Sequence, residues 1–445
     1  MPITRIKLQH GKNSVANSGV QSKKSSCFLD VGVTQCTGGQ PNRRKLLEEK
    51  RQSRLIDADG EQEIWSWGAG TDGQLGTGRL EDEILPQLLR IPSLSSGAVV
   101  SSVSCGGAHV IALTAGGGVL TWGRGNSGQL GLGDMVSSLE PKPVMGLEGC
   151  FITHVSAGWS HSGFVSDEGK VYSCGDGSFG QLGHGDFQSR CFPDELLFFS
   201  DKHVDQIACG MRHSLALVKG CCGAQVYGFG AGKRGQLGIS KKIQSVNLPV
   251  LSSELEAAEI VGIAAAGDHS AALSTDGRLF TWGRGFRTNS DAFSPQYLPS
   301  PLSFRKVALG WNHALVLTDE GELYMLGGKH HGTLSDSEKL NATNSLPGAT
   351  NEDNFRAVPA GGIKILDIAA GAEHSVVVTE DGAVKTWGWG EHGQLGLGDT
   401  CDHTNPQTVF LRHKLESADF DVKVYSGSGF TVAITTPHAA AKLTN

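Results

Sequence analysis

The stretch Trp122-Gly-Arg-Gly-Asn-Ser-Gly-Gln-Leu-Gly-Leu-Gly-Asp134 contains Gly123, Gly125 and Gly128 in G-x-G-x-x-G spacing. That spacing is used by dinucleotide-binding loops, where a parallel strand runs into a helix whose N-terminus receives the pyrophosphate. Here the glycines lead into Gln-Leu-Gly with no amphipathic helix behind them. The block also recurs. It stands at Trp67 (WGAGTDGQLGTG), Cys174 (CGDGSFGQLGHG), Phe229 (FGAGKRGQLG) and Trp387 (WGWGEHGQLGLGD), with worn copies at Trp282 (WGRGFRTNSD) and Leu326 (LGGKHHGTLSD). The seven copies are spaced 55, 52, 55, 53, 44 and 61 residues apart. Five complete copies of one dinucleotide site in a chain make no chemical sense, so the glycines serve backbone geometry in crowded turns. No cofactor is implied.

A second motif interleaves with the first. It reads GGAH to His109, GWSH to His161, GMRH to His213, AGDH to His269, GWNH to His313 and GAEH to His374, and in the seventh copy GSGF puts Phe430 at the histidine position. After each comes a short apolar run, a turn such as Asp276-Gly277 or Asp381-Gly382, and a second run ending in aromatic-Gly. Short runs split by Asp-Gly read as β-hairpins. Each unit of about fifty residues is thus an antiparallel sheet that cannot bury both faces alone, and radial stacking of seven does so. The expected fold is all-β, a seven-bladed β-propeller. Its body opens on the second half of a unit (DGEQEIWSWGAG) and ends on a first half (DVKVYSGSGFTVAITT), so N- and C-terminal strands are expected to share one blade. The expected divisions are a leader over residues 1–56, the propeller over 57–437 and a tail over 438–445.

Bulk properties fit this organisation. The chain has 445 residues with 62 glycines and 15 prolines, the signature of many tight turns without a collagen period. No apolar run approaches the ~18 residues of a membrane-spanning helix, so no membrane insertion is expected. The formal charge of −7 is uneven: residues 1–56 hold eleven Lys or Arg and three Asp or Glu, a net of +8, leaving −15 on the remainder. An acidic body disfavours bare nucleic-acid binding. The leader is acid-poor and rich in Ser, Lys and Arg, the composition of an organelle import signal. A basic nuclear address in NRRKLLEEKRQSR and a merely solvated tail stand beside that reading. The ten cysteines form no C-x-x-C pair, which leaves zinc knuckles and thioredoxin-like chemistry unsupported, and most read as core filler.

The pairing of aromatic-Gly-x-Gly-x-x-Gly-Gln-Leu-Gly with Gly-x-x-His-Ser resembles the repeats of the regulator of chromosome condensation family, over about residues 59–436. The resemblance implies a seven-bladed propeller that does no covalent chemistry. Three branches of the family imply three functions. The founding members exchange guanine nucleotide on a nuclear small GTPase and bind histones and DNA. A plant branch senses ultraviolet-B light through tryptophans in successive Gly-Trp-Arg-His-Thr copies; the matching positions here are Trp159, Met211, Asp268 and Trp311, and since two blades intervene between the tryptophans, no tight pair is expected. A third, organelle-directed branch supports transcript processing, including RNA splicing, and respiratory complex assembly. The leader favours this third branch, which makes the chain a monomeric mitochondrial scaffold with indirect RNA contact. The alternative is an exchange factor for a small GTPase in the nucleus or cytoplasm.

No G-x-S-x-G elbow, Walker sequence or H-E-x-x-H occurs, so the chain is read as non-enzymatic. The six motif histidines (His109, His161, His213, His269, His313 and His374) belong to different blades and read as structural, with ring nitrogens satisfied by neighbouring groups; no metal site is claimed. What varies between copies is the residue pair before each histidine and the residue inside aromatic-Gly-x-Gly. Trp159, Arg212, Asp268, Trp311 and Glu373 from the first set, and Arg124, Arg284 and Trp389 from the second, are the candidate partner-binding residues. By similarity to the family they lie on one propeller face near the channel, where aromatic and arginine side chains anchor protein interfaces.

Overall fold

The computed structural model describes residues 62–91, 98–220, 223–253, 255, 258–285, 290–328, 355–359, 361–411 and 420–437. The expected leader and tail lie outside the described residues. Seven four-stranded antiparallel sheets make up the described fold. We number the blades along the chain: blade 1 over residues 100–143, blade 2 over 152–195, blade 3 over 203–251, blade 4 over 260–297, blade 5 over 304–357 and blade 6 over 365–409. Blade 7 is composite, its strands lying in the order Glu83–Leu89, Glu63–Gly68, Phe430–Pro437, Phe420–Ser426. Glu63 to Gly68 pairs residue for residue with Thr435 to Phe430, so the two chain ends close the ring in one sheet as the motif order requires.

The core is divided rather than central. Each pair of neighbouring blades encloses its own apolar cluster, such as Val110, Trp122, Phe430 and Val432 between blades 7 and 1, or Leu215, Leu217, Phe280 and Trp282 between blades 3 and 4. The first strand of every blade lines a central channel. The turn between the first and second strands carries Gly-x-x-His, and the loop after the third strand carries aromatic-Gly-x-Gly. Both therefore emerge at the same end, as the pairing of His109 with Gly123 and of His213 with Gly230 shows. We call this the histidine face.

The outer strands carry a feature that the repeat motifs do not include. Pro86, Pro141, Pro193, Pro249, Pro295 and Pro406 each lie within the fourth strand of their blade. A proline there withholds a donor from an edge that would otherwise pair with another chain.

Closure rests on Val422, Val424, Phe430, Val432 and Ile434, all of them buried. At ~1.5–3 kcal/mol for each buried side chain, their loss rivals a whole-domain stability of ~5–15 kcal/mol. Truncation after Phe420 is expected to abolish cooperative unfolding, as followed by calorimetry. A sharp, unshifted transition in the truncated chain would contradict closure.

Candidate functional site

The histidine face is built on a lock repeated between blades. In blade 1, His109 Nε2 lies 2.9 Å from Ser162 Oγ of blade 2, and that hydroxyl donates to the Gln129 carbonyl at 2.6 Å. A serine has one proton, so with its hydroxyl committed to Gln129 it accepts from an Nε2–H. His161–Ser214–Gln181, His213–Ser270–Gln236 and His374–Thr431–Gln394 repeat the arrangement with Nε2 to hydroxyl distances of 2.9 to 3.0 Å. His313 meets Ser375 Oγ at 3.0 Å. Three glutamine carbonyls of this motif receive an indole from the following blade: Trp122 to Gln74 at 3.0 Å, Trp282 to Gln236 at 2.9 Å and Trp67 to Gln394 at 3.0 Å. Each glutamine side chain meanwhile folds its own loop, as when Gln129 Oε1 accepts the Ser127 N–H at 2.9 Å.

The opening glycines now have a physical reason. Gly123 has φ 97° and Gly128 has φ 84°, both in the left-handed region. A Cβ on Gly128 would stand 2.6 Å from the Arg190 carbonyl of blade 2, so any side chain there pushes two blades apart.

The lock explains its own exceptions. Phe430 replaces the histidine of blade 7, and the next blade has Val110 in place of the serine; the two share one apolar core. Blade 5 has Ala314 at the serine position, and His269 of blade 4 turns instead to the Trp311 carbonyl at 2.6 Å and the Arg284 carbonyl. Burial lowers the His269 pKa overall, although both carbonyls oppose the shift. In blade 6 the Trp387 indole N–H has no partner among the described residues, and the blade before it lacks Gln-Leu-Gly. Burial also drives the lock histidines down, His109, His213 and His374 to about 3 and His161 and His313 to about 4.

Above this frame, main-chain bonds circle the channel mouth: Ser428 N–H to the Gly106 carbonyl, Gly107 to Gly158, Trp159 to Gly210 and Met211 to Gly267, at 3.0 to 3.1 Å. The channel encloses a cavity of about 280 Å³ whose lining includes Trp159, Met211 and Trp311. One expectation is corrected here. Trp159 and Trp311 do meet, with ring centroids 5.1 Å apart and planes at 44°. Their turns both converge on the channel axis, so the number of intervening blades does not set their separation.

All eight candidate residues stand at the histidine-face end of their blades, Arg284 as the last residue of its strand and the others on turns and loops, and several are tied between blades. Arg124 holds Asp72 of blade 7 through two bonds, at 2.9 and 2.5 Å. Asp268 accepts from Gln236 Nε2 at 3.1 Å, and Glu373 from Asn312 Nδ2 at 2.7 Å. The Arg212 guanidinium lies 4.7 Å over the Phe179 ring. Trp389 is half-buried and edge-on to His392, which itself bonds Asp82 at 2.9 Å. Arg212 and Arg284 are exposed. The partners Asp72, Phe179 and His392 stand outside the variable positions read from the motifs. Their signal was available, since each precedes the Gly-Gln of its own loop.

Comparison with known proteins places this architecture. Residues 63–433 match the model of the RCC1-like domain. The chain is 29% identical over 389 residues to the ultraviolet-B receptor UVR8 of Arabidopsis thaliana, covering 85% of this chain and 84% of that protein. It is 30% identical over 372 residues to the secretion-regulating guanine nucleotide exchange factor of Bos taurus, covering 78% of each. Among solved structures, Prp20p from Saccharomyces cerevisiae superposes with a TM-score of 0.70 at 23% identity, covering 88% of this chain and 95% of that one.

The histidine lock has a pH consequence. Each imidazole stays neutral in the fold down to pH about 3 or 4, while an unfolded histidine takes up its proton near ~6.5. The unfolded state therefore binds more protons below that value, so stability is complete above it and falls as pH drops toward the folded pKa. The slope approaches ~1.4 kcal/mol per pH unit for each histidine. Melting temperature is expected to be flat between pH 7 and 8 and to fall steeply below about pH 6. Combining His161→Phe with Ser214→Val, in imitation of the Phe430–Val110 pair, should reduce that slope and cost less than His161→Phe alone. An unchanged acid slope in the double variant would count against the lock.

Proposed function

Since the chain belongs to the RCC1-like domain family, we propose that it is a non-enzymatic scaffold that captures partner proteins on the histidine face. We place its action in mitochondria, in support of transcript processing, RNA splicing included, and of respiratory complex assembly. The observation that carries the partner-binding reading is the contrast between frame and ornament. The locks repeat blade after blade, while the residues presented above them differ in every blade and include Trp159, Trp311, Arg212 and Arg284. A rigid frame presenting aromatic and arginine side chains has the makings of an interface core. The acid-poor, basic leader supports mitochondrial import, and the acidic remainder supports contact with proteins over bare RNA.

A second reading is exchange of guanine nucleotide on a small GTPase. It is favoured by the likeness to the secretion-regulating guanine nucleotide exchange factor along most of both chains. Both readings need only a rigid face, and the identity of the captured protein separates them.

Two measurements test the proposal. A fluorescent fusion of residues 1–60 is expected to enter mitochondria; exclusion from them removes the organelle assignment. Affinity capture with the full chain is expected to recover transcript-processing proteins. The triple variant Trp159→Ala, Arg212→Ala, Trp311→Ala should lose them by at least tenfold, the effect of removing more than ~1.4 kcal/mol of anchor contacts, while its melting curve stays cooperative. Recovery of a small GTPase that binds only when nucleotide-free would install the exchange reading instead, and unchanged capture by the triple variant would move the interface off this face.

A further inference from the structure

Blade 3 departs from its siblings at one point of the histidine face. In blades 1, 2 and 6 the Gln-Leu-Gly segment runs on to Gly133-Asp134, Gly185-Asp186 and Gly398-Asp399, with glycine φ values of 93°, 87° and 89°. Each aspartate then closes a small turn, accepting the N–H two residues on: Val136 at 3.1 Å, Gln188 at 3.0 Å and Cys401 at 3.0 Å. An aspartate suits that turn because its short carboxylate reaches its own backbone. Blade 3 has Ser240-Lys241-Lys242 at this point. Ser240, with φ 54°, is the one non-glycine residue of positive φ among the described residues. The blade thus gives up both the glycine that the backbone prefers and the carboxylate that closes the turn, and what it presents in exchange is two exposed lysines. Where a repeat breaks its own local rules twice at one place, function is the first explanation to test.

The lysines are not alone. Lys233 and Arg234 are exposed in the same blade's aromatic-Gly-x-Gly loop, which is tied to the Lys241–Lys242 segment by the Gly232 N–H to the Gln244 carbonyl at 2.9 Å. Arg212 joins them, its carbonyl accepting the Ala231 N–H at 2.7 Å. Arg284 of blade 4 is registered against Asp291, and Asp291 lies 3.4 Å from Arg234. Two carboxylates stand among these six cations, and both are engaged: Asp291 with Arg234, and Asp268 with Gln236. In blades 1, 2 and 6 the corresponding positions carry Asp134, Asp186 and Asp399, and blade 2 adds Asp176, while blade 7 carries Arg79, which is paired with Glu81 and Glu83.

We propose that this sector of blades 3 and 4 is the docking site for a short acidic segment of a partner protein. The inference deepens the scaffold reading and rests on it. A bounded basic patch flanked by the Asp176 and Asp186 carboxylates of blade 2 suits a compact acidic peptide and repels a long polyanion that would have to run on across that blade. The nearby aromatics also argue against a nucleic acid strand, which binds by stacking bases on open rings. Phe179 is covered by Arg212, and Trp159 and Trp311 cover each other.

The test uses the full chain and a fluorescent peptide of alternating Glu and Ser, with anisotropy as the readout. The peptide is expected to bind, to weaken as salt rises, and to lose affinity about tenfold or more in the Lys241→Glu, Lys242→Glu variant, consistent with reversing two contacting charges. The Lys241→Gln, Lys242→Gln variant should fall between, and Arg284→Glu should weaken binding independently. Lys364→Glu, on the opposite face, should change nothing. Melting curves of each variant show that it folds. Absence of peptide binding, equal affinity in the charge-reversed variant, or displacement of the peptide by single-stranded oligouridylate at equal charge would overturn the proposal. Peptide binding reads blades 3 and 4 alone, whereas partner capture also requires the channel-mouth tryptophans. Failure here therefore leaves the scaffold reading standing, and capture can fail while the peptide still binds.

Discussion

One carbonyl oxygen in each of five blades bears most of the architecture. The main-chain oxygen of the glutamine in Gln-Leu-Gly receives a hydroxyl where the next blade has one and an indole N–H where it has tryptophan, and Gln236 holds both Ser270 and Trp282. The hydroxyl is fixed in turn by a histidine of the preceding blade. The whole device is buried, and a buried polar group without its partner costs ~1–3 kcal/mol. It therefore tolerates substitution only in matched sets. Phe430 with Val110 is such a set, and the turning of His269 to main-chain carbonyls where Ala314 supplies no hydroxyl is the other way of meeting the constraint. Glycine spacing that imitates a nucleotide loop is what allows each carbonyl to reach its neighbour.

Because the blades are held from below, the residues above the locks are free to differ from blade to blade. That separation lets seven similar sheets present seven different turns. It also shapes the binding face: a narrow axis draws Trp159 and Trp311 together, while the wider radius of the loops gives each blade its own charge. Arg124–Asp72 and Asn312–Glu373 stiffen the surface between blades, leaving Arg212 and Arg284 as its exposed arginines among the candidate positions. Burial separates Cys174 and Cys209 from this surface chemistry. The Cys209 thiol, for example, is pushed up to about 12 by burial, which makes it a packing group rather than a nucleophile.

Much of the fold was legible because a repeat writes its contacts at its own period. His109 and Ser162 are 53 residues apart, as are His161 and Ser214, and that offset is one unit length. Closure was legible from the order of half-units at the ends. The tryptophan pair was not, since convergence across a ring depends on the channel's width, which no local pattern encodes. The outer-strand prolines, present in six of the seven blades, lie outside the two repeated motifs. Variation inside a fixed frame marks a face without separating inter-blade ties, such as Arg124, from residues open to a partner. Separating them requires knowing what stands one blade away.

The most direct test of this account is the protonation state of the lock histidines in the intact ring, read from long-range ¹⁵N–¹H spectra of histidine-labelled protein at about pH 5.5, roughly a unit below the ordinary imidazole value. The account expects His109, His161, His213 and His374 to be neutral and protonated on Nε2, as a hydroxyl already committed to a carbonyl demands. Imidazolium signals for these residues at that pH, or protons on Nδ1, would contradict it.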